Sequence, residues 1–152
     1  MWWRASAGDR LPRHLDTSAL VPLVVEEPGS ARCAEVWAGA DRVVSSSLVR
    51  VEAAAALARA RRLGRMTDWQ ASEAKTILTA LLEEMDLITP GSDVLTEAER
   101  LAETHALRAH DAVHGATAVL LASSQLVAVT GDQELLAAWE ALGLATVDTP
   151  GT

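Results

Sequence analysis

The chain has 152 residues, 49% of them hydrophobic and 22% charged, and a formal net charge of -8. That length fits one compact domain, its aliphatic content excludes a disordered chain, and its acidic balance argues against holding nucleic acid by bulk positive charge. The single cysteine, Cys33, excludes a disulfide framework and a cysteine-based zinc cluster. No apolar run approaches the roughly 18 residues that cross a bilayer, and the N-terminus lacks the apolar stretch of a secretory signal. The expectation is a cytoplasmic protein that does not engage the membrane.

Residues 1–13 read as a ragged extension, with Pro12 just before the first ordered segment. A short apolar segment ends at Leu15, and Asp16-Thr17-Ser18 then caps a helical run through Ala19–Glu27, with Pro22 tolerable in its first turn. Pro28-Gly29-Ser30 breaks this run and restarts a helix over about 31–39, anchored by Val36 and Trp37. Arg42–Ser46 reads as a strand, and Leu48–Leu63 as a helix stopped by Gly64. Thr67-Asp68 caps a helix to about Met85, with Trp69, Ile77, Leu78, Leu81 and Leu82 as apolar candidates. Asp86–Pro90 is a strand, a helix runs from Ser92 or Asp93 to about Ala106, and another spans His110–Ser123. Leu126–Thr130 is the clearest strand; Gly131-Asp132 turns into a helix ending at Gly143, and Leu144–Val147 is the last strand. Short apolar strands alternating with helices predict an α/β fold with a parallel sheet covered on both faces. Residues 14–148 form that single domain, and 149–152 are a tail. With no Phe or Tyr, the aromatic packing falls to five Trp, and Trp37, Trp69 and Trp139 are read as core or interface fillers.

In such a sheet, functional groups gather at the carboxyl ends of the strands. Asp16 follows the first strand, Glu52 lies in the first turns of the helix after Val43-Val44, Asp111 opens the helix before the Leu126 strand, and Asp132 follows Thr130. Helix starts and strand ends share one edge, so these four carboxylates are expected to converge. Close carboxylates repel and partly protonate unless a cation holds them. Oxygen ligands without thiolate select a hard ion, Mg2+ or Mn2+, which activates water for in-line displacement at a phosphodiester. The bland reading is that an Asp at a helix start is a cap. Glu52 differs, because it sits among Val49, Val51 and the apolar run Ala53–Leu57, where a carboxylate is costly without a partner.

Four segments carry a resemblance: Asp16–Leu20, Ser46–Glu52, Leu107–His114 and Val129–Asp132, in order and over nearly the whole chain. Together they resemble the PIN-domain ribonucleases, in particular VapC-type toxins of bacterial toxin–antitoxin pairs. The resemblance implies a PIN-like three-layer α/β/α sandwich with a central, mainly parallel sheet and a Mg2+- or Mn2+-dependent endoribonuclease. It also implies a homodimer and neutralisation by a cognate antitoxin. Asp16, Glu52, Asp111 and Asp132 match the family's acidic quartet, as catalytic residues and metal ligands. Thr130 matches its strand-end Thr, and Thr17 or Ser18 supports Asp16. One departure is the first strand, where Pro12 and Arg13 imply a short or irregular element.

Other signals compete. His110 and His114 are four apart and could ligate Zn2+, but the Glu of a zinc-protease helix and a third ligand are missing; only His14 and His105 remain. His114 reads instead as a core or site-lining residue. Arg59, Arg61, Arg62 and Arg65 sit at the end of the Glu52 helix, where they complement its dipole or contact RNA or an antitoxin. Leu57 and Leu63 serve either core packing or an antitoxin helix. Two rival functions stay open, a non-catalytic PIN-like interaction module and a Mg2+-dependent phosphatase or phosphoryl-transfer domain; Lys75, the only lysine, is mid-helix, against a receiver-like site.

Overall fold

Runs of Val, Ile and Leu broken by Gly, Pro and Asp build five short strands and seven helices, seen in a computed structural model that describes residues 11–122 and 125–150. Residues 1–10 of the expected extension and 151–152 of the expected tail lie outside the described residues. The strands are β1 (Arg13–Leu15), β2 (Val43–Ser46), β3 (Asp86–Ile88), β4 (Val127–Thr130) and β5 (Ala145–Asp148). They form one parallel sheet in the order β3-β2-β1-β4-β5. The helices are α1 (Thr17–Leu20), α2 (Ser30–Ala38), α3 (Val49–Arg62), α4 (Asp68–Glu84), α5 (Ser92–His105), α6 (Ala109–Leu121) and α7 (Gln133–Ala141).

Side chains alternate across the sheet and divide the core into two layers. Leu15, Val43, Val127 and Val129 pack with Leu20, Val36, Val49, Ala53, Leu57 and Leu78, beneath α1 to α4. Ala128 faces the other way, among Leu101, Ala112, Ala116, Leu135 and Trp139 of α5, α6 and α7. The result is the α/β/α sandwich expected.

β1 is short, as Pro12 and Arg13 foretold, yet it lies at the centre. Arg13 is registered with Val43 on one side and Val127 on the other. The Pro12 carbonyl accepts from the Val127 N–H at 3.1 Å, so the missing proline donor costs the ladder nothing there. His14, fully buried in the middle of the sheet, meets Trp139 and His114 edge-on at centroid distances of 5.6 and 6.2 Å.

Two expectations need correction. The run after Asp16 is not one helix to Glu27, because α1 tightens into a 3-10 turn over Val21–Leu23. Pro22 has no N–H to continue the α-helical ladder beyond the first turn. Of the core and interface roles expected for Trp69, the core one falls away: it is 69% exposed at the start of α4, whose buried residues are Ala74 and Leu78. Trp139 is wholly buried and Trp37 packs half-buried against the core, as expected. Gly64 ends α3 at φ +71°, and Thr67 with Gln70 forms a reciprocal cap on α4.

Candidate active site

The strand order reverses between β1 and β4, and ligand sites of open parallel sheets form at the carboxyl ends beside such a switch. Asp16 leaves β1 there and caps α1, its Oδ1 accepting from the Ala19 N–H at 3.2 Å. Two hydroxyls hold the same carboxylate. Ser18 Oγ donates at 2.8 Å to Oδ1, and Thr130 Oγ1 donates at 2.9 Å to Oδ2. In turn Ser18 Oγ accepts from the Gly131 N–H at 2.8 Å, and Thr130 Oγ1 accepts from the Asp132 N–H at 2.9 Å. The turns after β1 and β4 are thereby stitched together through Asp16. Glycine is required at 131, where a Cβ would lie 2.7 Å from the Thr149 carbonyl oxygen. Asp16 is 3% exposed, and burial pushes its carboxyl up to about 6, although His114, the hydroxyls and the Ala19 amide pull it down.

Glu52 reaches the cleft from the first turn of α3, and its Oε1 lies 2.6 Å from His114 Nε2 of α6. Burial pushes this carboxyl up, but the hydrogen bond and charge of His114, with His110 and Thr17, outweigh it and hold it below the ordinary value. A carboxylate only accepts, so the shared proton sits on Nε2. Thr17 Oγ1 lies 3.4 Å from the same nitrogen. The sequence leaves His114 as a core or site-lining residue and does not name Glu52 as its partner.

Asp111 lies buried in the first turn of α6, and Asp132 caps α7 through Oδ1, which accepts from the Leu135 N–H at 2.9 Å. Arg108, the residue before α6, ties the two together. Its Nε donates to Asp111 Oδ2 at 2.8 Å and its Nη2 to Asp132 Oδ2 at 3.4 Å. Sequence reading did not single out Arg108. The usable signal was an arginine three residues before an Asp at a helix start, a spacing that brings the two side chains together.

All four predicted acids line one cleft of about 670 Å³, together with Thr17, Ser18, Arg108, His110, His114 and Glu27. Five carboxylates and a single guanidinium thus share one space. Among the described residues, however, no three His, Cys, Asp or Glu side chains are drawn together as an ion-binding group. The reason is visible in their partners. Asp16 is turned to Ser18 and Thr130, Glu52 to His114, and Asp111 and Asp132 to Arg108. The donor chemistry fits a hard divalent cation, because five carboxylates outnumber the one guanidinium in the lining of the cleft and no thiolate is among them. The zinc alternative gains nothing, since His114 is engaged with Glu52 and the His110 side chain is 46% exposed.

Arg59, Arg61, Arg62 and Arg65 are exposed, and none lines the acidic cleft. Arg65 lies 3.7 Å from Glu27 at the cleft's rim. Arg61 lies 3.7 Å from Asp68 and faces a separate groove of about 940 Å³ between α3 and α4. No helix among the described residues is long and apolar enough to cross a membrane.

Comparison with known proteins follows the same lines. The PIN domain pattern matches residues 14–139. Ribonuclease VapC45 and Ribonuclease VapC49, from two Mycobacterium tuberculosis strains, are each 34% identical over 122 residues, covering 80% of this chain and 85% of theirs. Among solved structures, PAE2754 from Pyrobaculum aerophilum superposes with a TM-score of 0.64 at 28% identity, over 91% of this chain and 85% of that one. FitAcB from Neisseria gonorrhoeae gives 0.66 at 17% identity over 90% and 97%, a likeness of fold.

Proposed function

This chain belongs to the PIN-domain family, among the VapC ribonuclease toxins, and from that premise we propose that its acidic cleft is the centre that hydrolyses RNA phosphodiester bonds. The observation carrying this reading is that Asp16, Glu52, Asp111 and Asp132, from four separate segments, line one cleft at the sheet's switch point. Asp16, Asp111 and Asp132 would hold Mg2+ or Mn2+, with Glu52 as a direct or water-mediated ligand. Such a cation lowers the pKa of bound water and offsets the charge that develops on a phosphodiester.

The chain's own residues do the rest. Ser18 and Thr130 fix the Asp16 carboxylate against rotation, and their backbone bonds to Gly131 and Asp132 set the distance between the turns. Glu52, kept ionised by His114, is the group that takes a proton from the attacking water. The substrate's phosphates supply negative charge that the cleft alone repels, so binding of RNA and of the cation reinforce each other.

The partners follow from the same reading. A cognate antitoxin would neutralise the toxin in the cytoplasm, and the functional unit would be a homodimer. The groove between α3 and α4, with Leu57 in its lining and Arg50, Arg61 and Lys75 around it, suits an apolar helix with acidic flanks.

The decisive experiment compares the purified protein with its Asp16→Asn variant on total RNA, with and without Mg2+. Magnesium-dependent cleavage by the parent and none by a folded variant is expected. A fully active Asp16→Asn protein overturns the assignment.

A further inference from the structure

Arg108 is not used by the hydrolytic reading, yet it sits among the acids that carry it. Its Nε donates to Oδ2 of Asp111 at 2.8 Å and its Nη2 to Oδ2 of Asp132 at 3.4 Å, so one guanidinium holds an oxygen from each acid. The other oxygen of Asp132 is committed to capping α7. Asp111 is almost wholly buried, with 8% of its side chain exposed, and Asp132 retains 20%. Two carboxylates held by one guanidinium, one of them almost wholly buried, depend on that positive charge for neutralisation.

The guanidinium meets that need. A planar fork that donates to two carboxylates at once is the geometry at which Arg excels over Lys. Asp111 and Asp132 are also among the acids that would hold a divalent cation. A cation and a guanidinium that draw on the same two carboxylates repel each other strongly. Arg108 is the N-cap residue of α6, its carbonyl accepting from the Ala112 N–H at 2.8 Å, while 63% of its side chain is exposed and has room to turn to solvent.

Resting on the metal-dependent reading above, we infer that Arg108 is an exchangeable counter-ion, which neutralises Asp111 and Asp132 in the cation-free protein and must be displaced before a divalent cation can bind. The exchange sets a threshold. Loading requires the loss of two charge-assisted hydrogen bonds, so the cation's apparent affinity is lower than the acids alone would give.

The test is Mn2+ binding, followed by isothermal titration calorimetry and by loss of the free-ion electron paramagnetic resonance signal, for the parent, Arg108→Gln and Arg108→Lys. All three are compared at one pH and ionic strength, after circular dichroism has verified each fold. Arg108→Gln should bind Mn2+ about tenfold more tightly than the parent, the scale expected from losing a partly exposed charged contact. Arg108→Lys keeps the positive charge and loses the planar fork, so it should bind Mn2+ less tightly than Arg108→Gln. Equal or weaker binding by Arg108→Gln than by the parent overturns the inference. So does an Arg108→Lys protein that binds more tightly than Arg108→Gln, since loss of the charge would then not be what frees the acids. If Arg108→Gln fails to fold, Arg108→Met takes its place under the same two outcomes. Absence of Mn2+ binding by the parent would instead remove the metal-dependent reading, and this inference with it, while tight parental binding unchanged by either substitution removes the inference alone.

Discussion

Asp16→Asn should stabilise the cation-free protein even as it ends RNA cleavage. Asp16 is 3% exposed, and burial raises its carboxyl from 3.8 to about 6. A shift of that size makes the ionised side chain a burden of about 3 kcal/mol on the folded state at neutral pH, at about 1.4 kcal/mol per pH unit. An amide keeps an acceptor for Ser18 and Ala19 and carries no charge to desolvate, so most of that burden is lifted. The direction with pH follows from the raised value. As pH falls through 6, the parent's folded state takes up a proton that its unfolded state does not bind until 3.8, and it recovers the lost stability over that interval. The advantage of the Asn variant is therefore full above pH 6 and gone below pH 3.8. Urea denaturation in EDTA at pH 7.5, 5 and 3.8 measures this difference, and other titrating groups cancel in the comparison of the two proteins. An Asn variant no more stable than the parent at pH 7.5, or an advantage that persists undiminished at pH 3.8, would refute the claim that Asp16 is a buried, strained charge. The strain is what a bound cation would relieve, so added Mn2+ should raise the parent's unfolding midpoint more than the variant's.

Two further substitutions probe the frame around the site. Burial, then the charge of His114, lowers His14 to about 3, and both its ring nitrogens lack hydrogen-bond partners. Unfolding lets His14 take up a proton below 6.5, so its contribution to stability is full above that value and falls by about 1.4 kcal/mol per pH unit down to about 3. In the Asp16→Asn background, where the opposing carboxyl is absent, adding His14→Leu should flatten the fall seen in urea titrations between pH 6.5 and 4; an unchanged slope would exclude His14 as its source. Ala106 ends α5 in the left-handed conformation at φ 53°, which costs an L residue energy that glycine avoids. Ala106→Gly should therefore raise stability by about 0.5–1 kcal/mol after the added freedom of the unfolded chain is counted, and a lower thermal midpoint would show that the strain is absorbed elsewhere.

The sheet and the acid positions were legible because both rest on local pattern. Val43-Val44 and Val127–Val129 can only be buried strands, and an acid just past a parallel strand can only lie on the ligand-binding edge. Gly64 announced the end of α3 for an equally local reason. Pairings between distant segments were not legible. Nothing around Glu52 says that its partner will be His114, since that contact depends on how α3 and α6 face each other across β1 and β2. Arg108 was overlooked because a charged residue before a helix reads as solvated until the acid of a different helix, Asp132, is found within reach. Trp69 misled in the opposite sense, as helical spacing of apolar residues in α4 does not reveal how narrow the buried stripe is.

For two of the acids a capping role leaves room for a ligand role as well. A carboxylate has two oxygens, and a helix N-terminus needs only one of them. Asp132 gives Oδ1 to the Leu135 N–H and keeps Oδ2 turned to the cleft, so capping is the means by which the second oxygen is aimed. Asp16 follows the same logic with more help, its Oδ1 fixed by Ala19 and Ser18 and its Oδ2 by Thr130. Because both caps lie at the ends of adjacent strands, the register of β1 with β4 sets the separation of the two acids. A shift of one residue in that pairing would turn Leu15 and Val129 away from the core, which the burial of both side chains forbids. The hydrophobic layer beneath the sheet thereby fixes the spacing of charges above its edge. Helix α6 then brings Asp111, with Arg108 at its N-cap, to the same edge.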